Sequence, residues 1–244
     1  MHAPKTPKYP LDVELPLKMR RQPDDTTCGP TCLHALYNYY GEPIQLNDVI
    51  ADIHNLEGGG TLAVFLACHA LTQGYQATIY TYNLQMFDPT WFNNSKVNIA
   101  ERLQQQRLAK DDPKLHVATT GYLEFLALGG LLRFKDLNRS LIRGLIRRGI
   151  PLLAGLSSTY LYRSSRLFGE DDHDDDIRGL PCGHFVLLNG YRREHHSVLV
   201  SDPYTPNPVS TIHHYWVDID RVIGAILLGT LTHDANILVI TRKD

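Results

Sequence analysis

Helical periodicity fills the first half of this chain and strand periodicity the second, an order that leaves few folds open. Leu33, Leu36, Tyr37 and Tyr40 recur at helical spacing. They follow the cap-rich stretch Asp24-Asp25-Thr26-Thr27 and stop at Gly41. Pro30 falls in the first turn, where its missing N–H costs nothing. A short helix is expected over Asn47–His54, then a flexible turn at Gly58-Gly59-Gly60. Thr61 is expected to cap a third helix, with Leu62, Phe65, Leu66 and Ala70 on one face and Gly74 as its end. Gln76–Tyr82 alternates and reads as a strand. The mostly polar stretch 84–120 holds a helix near Lys96–Lys110, and an amphipathic helix follows near Asn138–Arg148. From Ile150 onward Pro151–Leu156, His184–Leu188, Val198–Ser201, Thr211–Trp216 and Asn236–Ile240 read as strands, interrupted by one helix, Asp218–Leu228. Helices followed by strands predict an α+β protein with a mainly antiparallel sheet. Residues 1–20 read as an extended, Pro-rich lead-in. Residues 21–244 read as a single domain, helical over about 21–148 and sheet over about 149–244, with no internal repeat.

Composition narrows the function. A chain of 244 residues with 43% hydrophobic content buries a core without staples. A net charge of −2, from 24 basic and 26 acidic residues, argues against a general nucleic-acid binder. The longest apolar run, around Ile223–Leu231, falls short of the ~20 residues a spanning helix needs, so no membrane insertion is expected. Met1–Pro16 alternates charges with prolines and lacks a signal-peptide core, so a cytoplasmic chain is the expectation. The cysteines, Cys28, Cys32, Cys68 and Cys182, are too few for a disulfide scaffold and lack zinc-finger spacing. The adjacent pairs His195-His196 and His213-His214 would point to opposite faces of a strand. No metal and no cofactor is therefore expected. The acidic run Glu170–Asp176 lies in an apolar-poor stretch, Tyr162–Pro181, and reads as a solvated loop. Its place just before His184 also suits a lid or a trap for a basic ligand.

Four residues carry candidate chemistry. Cys28 opens a helix, where the N-terminus stabilises a thiolate and the first-turn N–H groups face anything bound beside the sulfur. His184 opens an apolar strand, a rigid mount for a general base. Asp202 closes the next strand, before Pro203, so neighbouring strands would set it beside His184, where an acid orients the imidazole. Gln22 is a candidate oxyanion donor ahead of the nucleophile. Each alone also reads as an ordinary structural residue. Cys32, one turn after Cys28, is expected to pack beneath it, Cys182 to line the cleft, and His34 not to be the base.

Taken together, Gln22, Cys28-Gly29-Pro30-Thr31-Cys32-Leu33, Tyr39-Tyr40-Gly41, Gly60-Thr61-Leu62, Gly74-Tyr75, Gly183-His184-Phe185-Val186 and Asp202-Pro203 resemble the bacteriocin-processing (double-glycine) cysteine peptidase family. The resemblance leaves out residues 84–130 and the acidic run. It implies a papain-like fold, with an N-terminal helical side on a C-terminal sheet, and a peptide or protein substrate. It implies that Cys28 attacks the carbonyl carbon, and that His184 takes the thiol proton and returns it to the leaving amine. Asp202 would orient His184, while Gln22 and the Cys28 N–H would hold the oxyanion. No transmembrane region or nucleotide-binding motif accompanies these blocks, so the free-standing form is expected. Free-standing relatives stand beside ATP-grasp ligases of peptide-modifying type, which implies a peptide-modifying ligase as a partner. The same catalytic order is similar to phytochelatin synthase, a γ-glutamyl transferase, although the Cys-Gly-Pro-Thr-Cys block favours the peptidase side. A peptide-binding module without catalysis is the third alternative.

Overall fold

The strand Gly183–Arg192 is buried on both faces from His184 to Tyr191, and the domain is assembled around it. Phe185 and Leu187 face one apolar cluster, while Val186 and Leu188 face another, the period-two alternation of a strand with both sides covered. This is why the segment reads as a continuous apolar run. A computed structural model describes residues 12–243 except 58, 170 and 233. The first part of the expected lead-in, 1–11, lies outside the described residues.

The strands are β1 (Val13–Glu14), β2 (Gln76–Thr81), β3 (Leu131–Arg133), β4 (Leu152–Ser157), β5 (Leu167–Phe168), β6 (His173–Asp174), β7 (Gly183–Arg192), β8 (Ser197–Ser201), β9 (His214–Asp218) and β10 (Asn236–Thr241). The helices are α1 (Cys28–Tyr39), α2 (Leu46–Asp52), α3 (Ala63–Thr72), α4 (Ile99–Ala109), α5 (Pro113–Ala127), α6 (Arg139–Ile146), α7 (Ser158–Tyr162) and α8 (Ile219–Leu228). The main sheet runs β3-β2-β10-β4-β7-β8-β9, with β1 paired to β7. The β2–β3 pair is parallel and the remaining pairs are antiparallel. Among the described residues no helix is long and apolar enough to cross a membrane.

The helix-then-strand order thus yields the expected α+β arrangement, with two differences. Helices cover both faces of the sheet. Leu33, Leu36, Leu66 and Phe125 from α1, α3 and α5 pack on one side. Ile142, Leu145, Val222 and Ile226 from α6 and α8 pack on the other. Burying each such side chain contributes about 1.5–3 kcal/mol before entropy is charged against it. The sheet also takes β2 and β3 from the stretch of about 21–148 that was expected to be helical.

Local corrections have local causes. Thr61 does not cap α3: its Oγ1 donates to the His54 carbonyl at 2.8 Å, and the N-cap position is Leu62, with no side-chain cap of its own. Helix α5 was not expected, although Asp112 caps it through Lys114 N and Leu115 N and Pro113 starts it. The strand expected over Thr211–Trp216 lies instead at His214–Asp218. The acidic run is exposed over Asp171–Asp174 but not structureless. Its His173–Asp174 forms β6 and pairs with β5, just before the run, and Asp175 accepts from Ile177 N and Arg178 N and pairs with Arg178.

Candidate active site

The chain enters α1 through a tight turn. Asp24 Oδ1 accepts from the Thr26 N–H and hydroxyl, both at 2.8 Å, and its carbonyl accepts from Gln22 Nε2 and Thr27 Oγ1. Thr27, at the N-cap, supplies no side-chain cap, so the first-turn N–H groups of α1 stay available to a ligand. Cys28 is the first residue of that turn and is 9% exposed. Gly29 behind it has no room for a side chain. A Cβ there would lie 2.9 Å from Thr61 Cγ2 and 3.1 Å from Phe185 Cδ2. The missing side chain lets α1 sit against β7 close enough to bring Cys28 to His184.

His184 is 9% exposed and Asp202 fully buried. His184 Nε2 donates to Asp202 Oδ1 at 2.8 Å. A carboxylate only accepts, so Nε2 carries the hydrogen and Nδ1 is left for the sulfur. Burial alone would push the imidazole down. The Asp202 carboxylate and the Cys28 sulfur, which also hydrogen-bonds it, outweigh burial and hold His184 well above its ordinary value. Asp202 moves the other way. Burial would raise it, but His184 and the hydroxyls of Tyr215 and Tyr162 bring it below the usual carboxylate range.

Those two tyrosines escaped the sequence reading. Tyr162 Oη and Tyr215 Oη both donate to Asp202 Oδ2, at 2.8 and 2.6 Å. Tyr204 N donates to Oδ1 at 2.9 Å, so the carboxylate receives four hydrogen bonds. The rings of Tyr162 and Tyr204 flank His184, with centroids 6.1 and 6.4 Å away. The signal for Tyr215 was register: β9 pairs Tyr215 with Val200, two residues before Asp202, which a hairpin with the correct pairing would have given. Tyr162 ends a single-turn helix in a stretch with no periodicity to read. Tyr215→Phe leaves a buried carboxylate one donor short, at an expected cost of about 1.5–3 kcal/mol. A urea titration should show a lower midpoint at unchanged slope.

The other expected residues fall as follows. Gln22 is 7% exposed, and its N–H donates to the Pro203 carbonyl at 3.0 Å, which ties it to the residue after Asp202. Its Nε2 donates to the Asp24 carbonyl at 2.8 Å, which occupies one of its two hydrogens, and its buried Oε1 has no partner. Cys32 is fully buried and donates to the Phe185 carbonyl at 3.3 Å. Burial, then Cys28 and Asp202, push its thiol well up. Cys182 is half-buried beside Ser158, and burial raises its thiol despite Ser158 and His184. His34 hydrogen-bonds Asn38, away from the sulfur. His213 and His214 serve the frame: His213 Nδ1 donates to the Asp202 carbonyl at 2.7 Å, and His214 Nδ1 hydrogen-bonds Ser201 Oγ at 2.7 Å.

Protein-family models and curated proteins give no match to this sequence. Solved structures do. A Bacillus anthracis protein assigned as a C39-like peptidase is 14% identical, with a TM-score of 0.49, over 96% of this chain and 98% of that one. A double-glycine motif protease from an AMS/PCAT transporter, solved in complex with the leader peptide, is 12% identical, with a TM-score of 0.46, over 95% of this chain and 98% of that one. Xylellain, a cysteine protease from Xylella fastidiosa, is 12% identical, with a TM-score of 0.43, over 97% of this chain and 87% of that one.

Proposed function

We propose that this chain is a papain-like cysteine peptidase that hydrolyses a peptide or isopeptide bond, with Cys28 as nucleophile, His184 as base and acid, Asp202 as its orienting partner and Gln22 as an oxyanion donor. The observation that carries the reading is the buried His184–Asp202 pair, its carboxylate saturated by four donors, set against a cysteine at an uncapped helix N-terminus. A structural histidine has no need of so complete a carboxylate shell beside a thiol.

In this mechanism the Cys28 proton passes to His184 Nδ1, and the sulfur adds to the carbonyl carbon. The new oxyanion sits between the Cys28 N–H and the second Nε2 hydrogen of Gln22. His184 returns the proton to the leaving amine as the C–N bond breaks. Water, deprotonated by His184, then cleaves the thioester. Asp202 keeps the ring in the tautomer that presents Nδ1 to sulfur and stabilises the imidazolium.

Alkylation tests the nucleophile directly. Iodoacetamide, followed by mass spectrometry between about pH 5 and 9, should label Cys28 first. Cys32 is sealed and its thiol is raised, Cys68 is pushed up to about 12 by burial and Glu124, and Cys182 is raised as well. Equal rates at all four thiols would remove Cys28 from the role. Product analysis on a peptide library then separates hydrolysis from transfer to an amine or thiol acceptor.

A further inference from the structure

A cavity of about 720 Å³ opens beside α7, within the roughly 300–1,000 Å³ of sites that take small organic ligands. No catalytic residue lines it, but α7 borders both places: Tyr160 stands in the cavity wall and Tyr162 donates to Asp202. Arg163, Arg166 and Arg221 line it, together with Asp218 and Asp220. Both carboxylates are engaged. Asp220 is held through its two oxygens by Arg139, which is not part of the lining. Asp218, the N-cap of α8, accepts from Asp220 N and Arg221 N. The guanidiniums are not engaged in this way. Among the described residues no carboxylate lies within ion-pair distance of any of the three.

Two of the three arginines occupy backbone positions that disfavour them. Arg163 ends α7 in the left-handed region, at φ 57° and ψ 41°, where glycine is the usual residue and any other side chain costs energy. Arg221 is the third residue of α8, where a cation opposes the helix dipole. Its Nε is sealed from solvent and has no hydrogen-bond partner, a state that costs more for a charged group than for a neutral one. Neither placement helps the fold, so a ligand accounts for both better than stability does. Arg166 is anchored, with Nη2 donating to the Asp176 and Ile177 carbonyls. The rest of the wall is apolar at Tyr160, Leu228 and Leu231, all exposed. A guanidinium fork matches a carboxylate or a phosphate in shape. The Asp218 and Asp220 charges in the same wall disfavour a phosphate dianion, and the apolar wall suits a carbon stem. A carboxylate on an apolar stem meets both conditions.

We infer that Arg163 and Arg221 form a binding site for a carboxylate on an apolar stem, separate from the reacting cleft. The carboxylate comes from a Glu or Asp side chain of a bound polypeptide or from a free organic acid, and the two sources are separable. Pentanoate, titrated into the wild-type protein at constant ionic strength, should shift the Arg221 Nε–H and the Leu228 and Leu231 amide resonances saturably. Pentan-1-ol, with the same stem and no charge, should not. Arg163→Gly and Arg221→Gln should each weaken pentanoate binding about tenfold or more. The urea midpoint of Arg163→Gly should stay equal or rise, because glycine adopts the left-handed cap without strain, which separates lost binding from lost fold. No saturable shift, equal binding of pentan-1-ol, tighter binding of inorganic phosphate, or unchanged affinity in either variant overturns the site.

The second arm uses turnover and rests on the peptidase reading. If a substrate supplies the carboxylate, replacing one Glu or Asp of a cleaved peptide by Gln or Asn should raise KM about tenfold at unchanged kcat in the wild type and do nothing in Arg163→Gly. If a free acid supplies it, pentanoate should bind while no such replacement alters KM. Either result upholds the site and assigns its source. Pentanoate binding without any cleavage upholds the site and removes the peptidase reading. Cleavage without pentanoate binding removes the site and spares that reading.

Discussion

Cys28→Ala should abolish peptide cleavage, by about five to six orders of magnitude in kcat, while substrate binding persists. The magnitude follows from the way these residues act. In the proposed mechanism addition, proton transfer and acyl release all run through one sulfur, so removing it removes the covalent route whatever His184 and Asp202 still do. Binding should survive because Cys28 is small, 9% exposed and not a cap of its own helix, so alanine keeps both the turn and the packing of Gly29 on Phe185. Calorimetry with an uncleaved peptide gives the affinity and single-turnover kinetics the rate. A peptide-binding module predicts equal, negligible turnover before and after the substitution. Wild-type turnover in Cys28→Ala would move the nucleophile elsewhere, and Cys182, the half-buried thiol nearest the site, would be the next to replace.

The juxtaposition proposed as the site was legible because its residues sit where local sequence signals are strongest. Cys28 follows a run of capping residues, His184 opens a run of apolar residues buried on both faces, and Asp202 precedes a proline that ends its strand. Each lies at an element boundary, and boundaries are where turn and cap chemistry writes itself into sequence. What failed to show depends on register or on distance. Tyr215 reaches Asp202 only because β9 pairs Tyr215 with Val200 and His214 with Ser201, and a strand placed three residues early hides that pairing. Asp234 reaches Ala63 across a separation of 171 residues, with nothing local to announce it. Helix α5 was obscured because it begins inside the polar stretch 84–120 and runs past its end to Ala127. The order of helices and strands along the chain does not announce that α6 and α8 close the far side of the sheet with their apolar faces.

Asp202→Asn separates orientation from charge and should lower kcat about 10⁴-fold with the fold intact. The amide can present either end to His184. If its oxygen accepts from Nε2, its NH₂ group faces the Tyr162 and Tyr215 hydroxyls, both of which now donate to that position. Those hydroxyls must then turn to accept. If its NH₂ faces His184, Nε2 becomes the acceptor and the hydrogen moves to Nδ1, where it blocks the thiol proton. Four donors converge on the native carboxylate, so neither arrangement satisfies them all, and the imidazolium loses its counter-ion in both. Stability should report the same loss through its pH dependence. The folded-state value of Asp202 is lowered, so its contribution is present above the unfolded value of about 3.9 and disappears as pH falls through the folded value. The folded-state value of His184 is raised, so its contribution is full below about 6.5 and disappears as pH rises through the folded value. The excess stability of wild type over Asp202→Asn should therefore peak between about pH 4 and 6.5 and shrink on both sides. Urea unfolding across that range measures it. A difference that does not vary with pH would mean that Asp202 acts through packing alone, and wild-type turnover in the variant would take it out of the site.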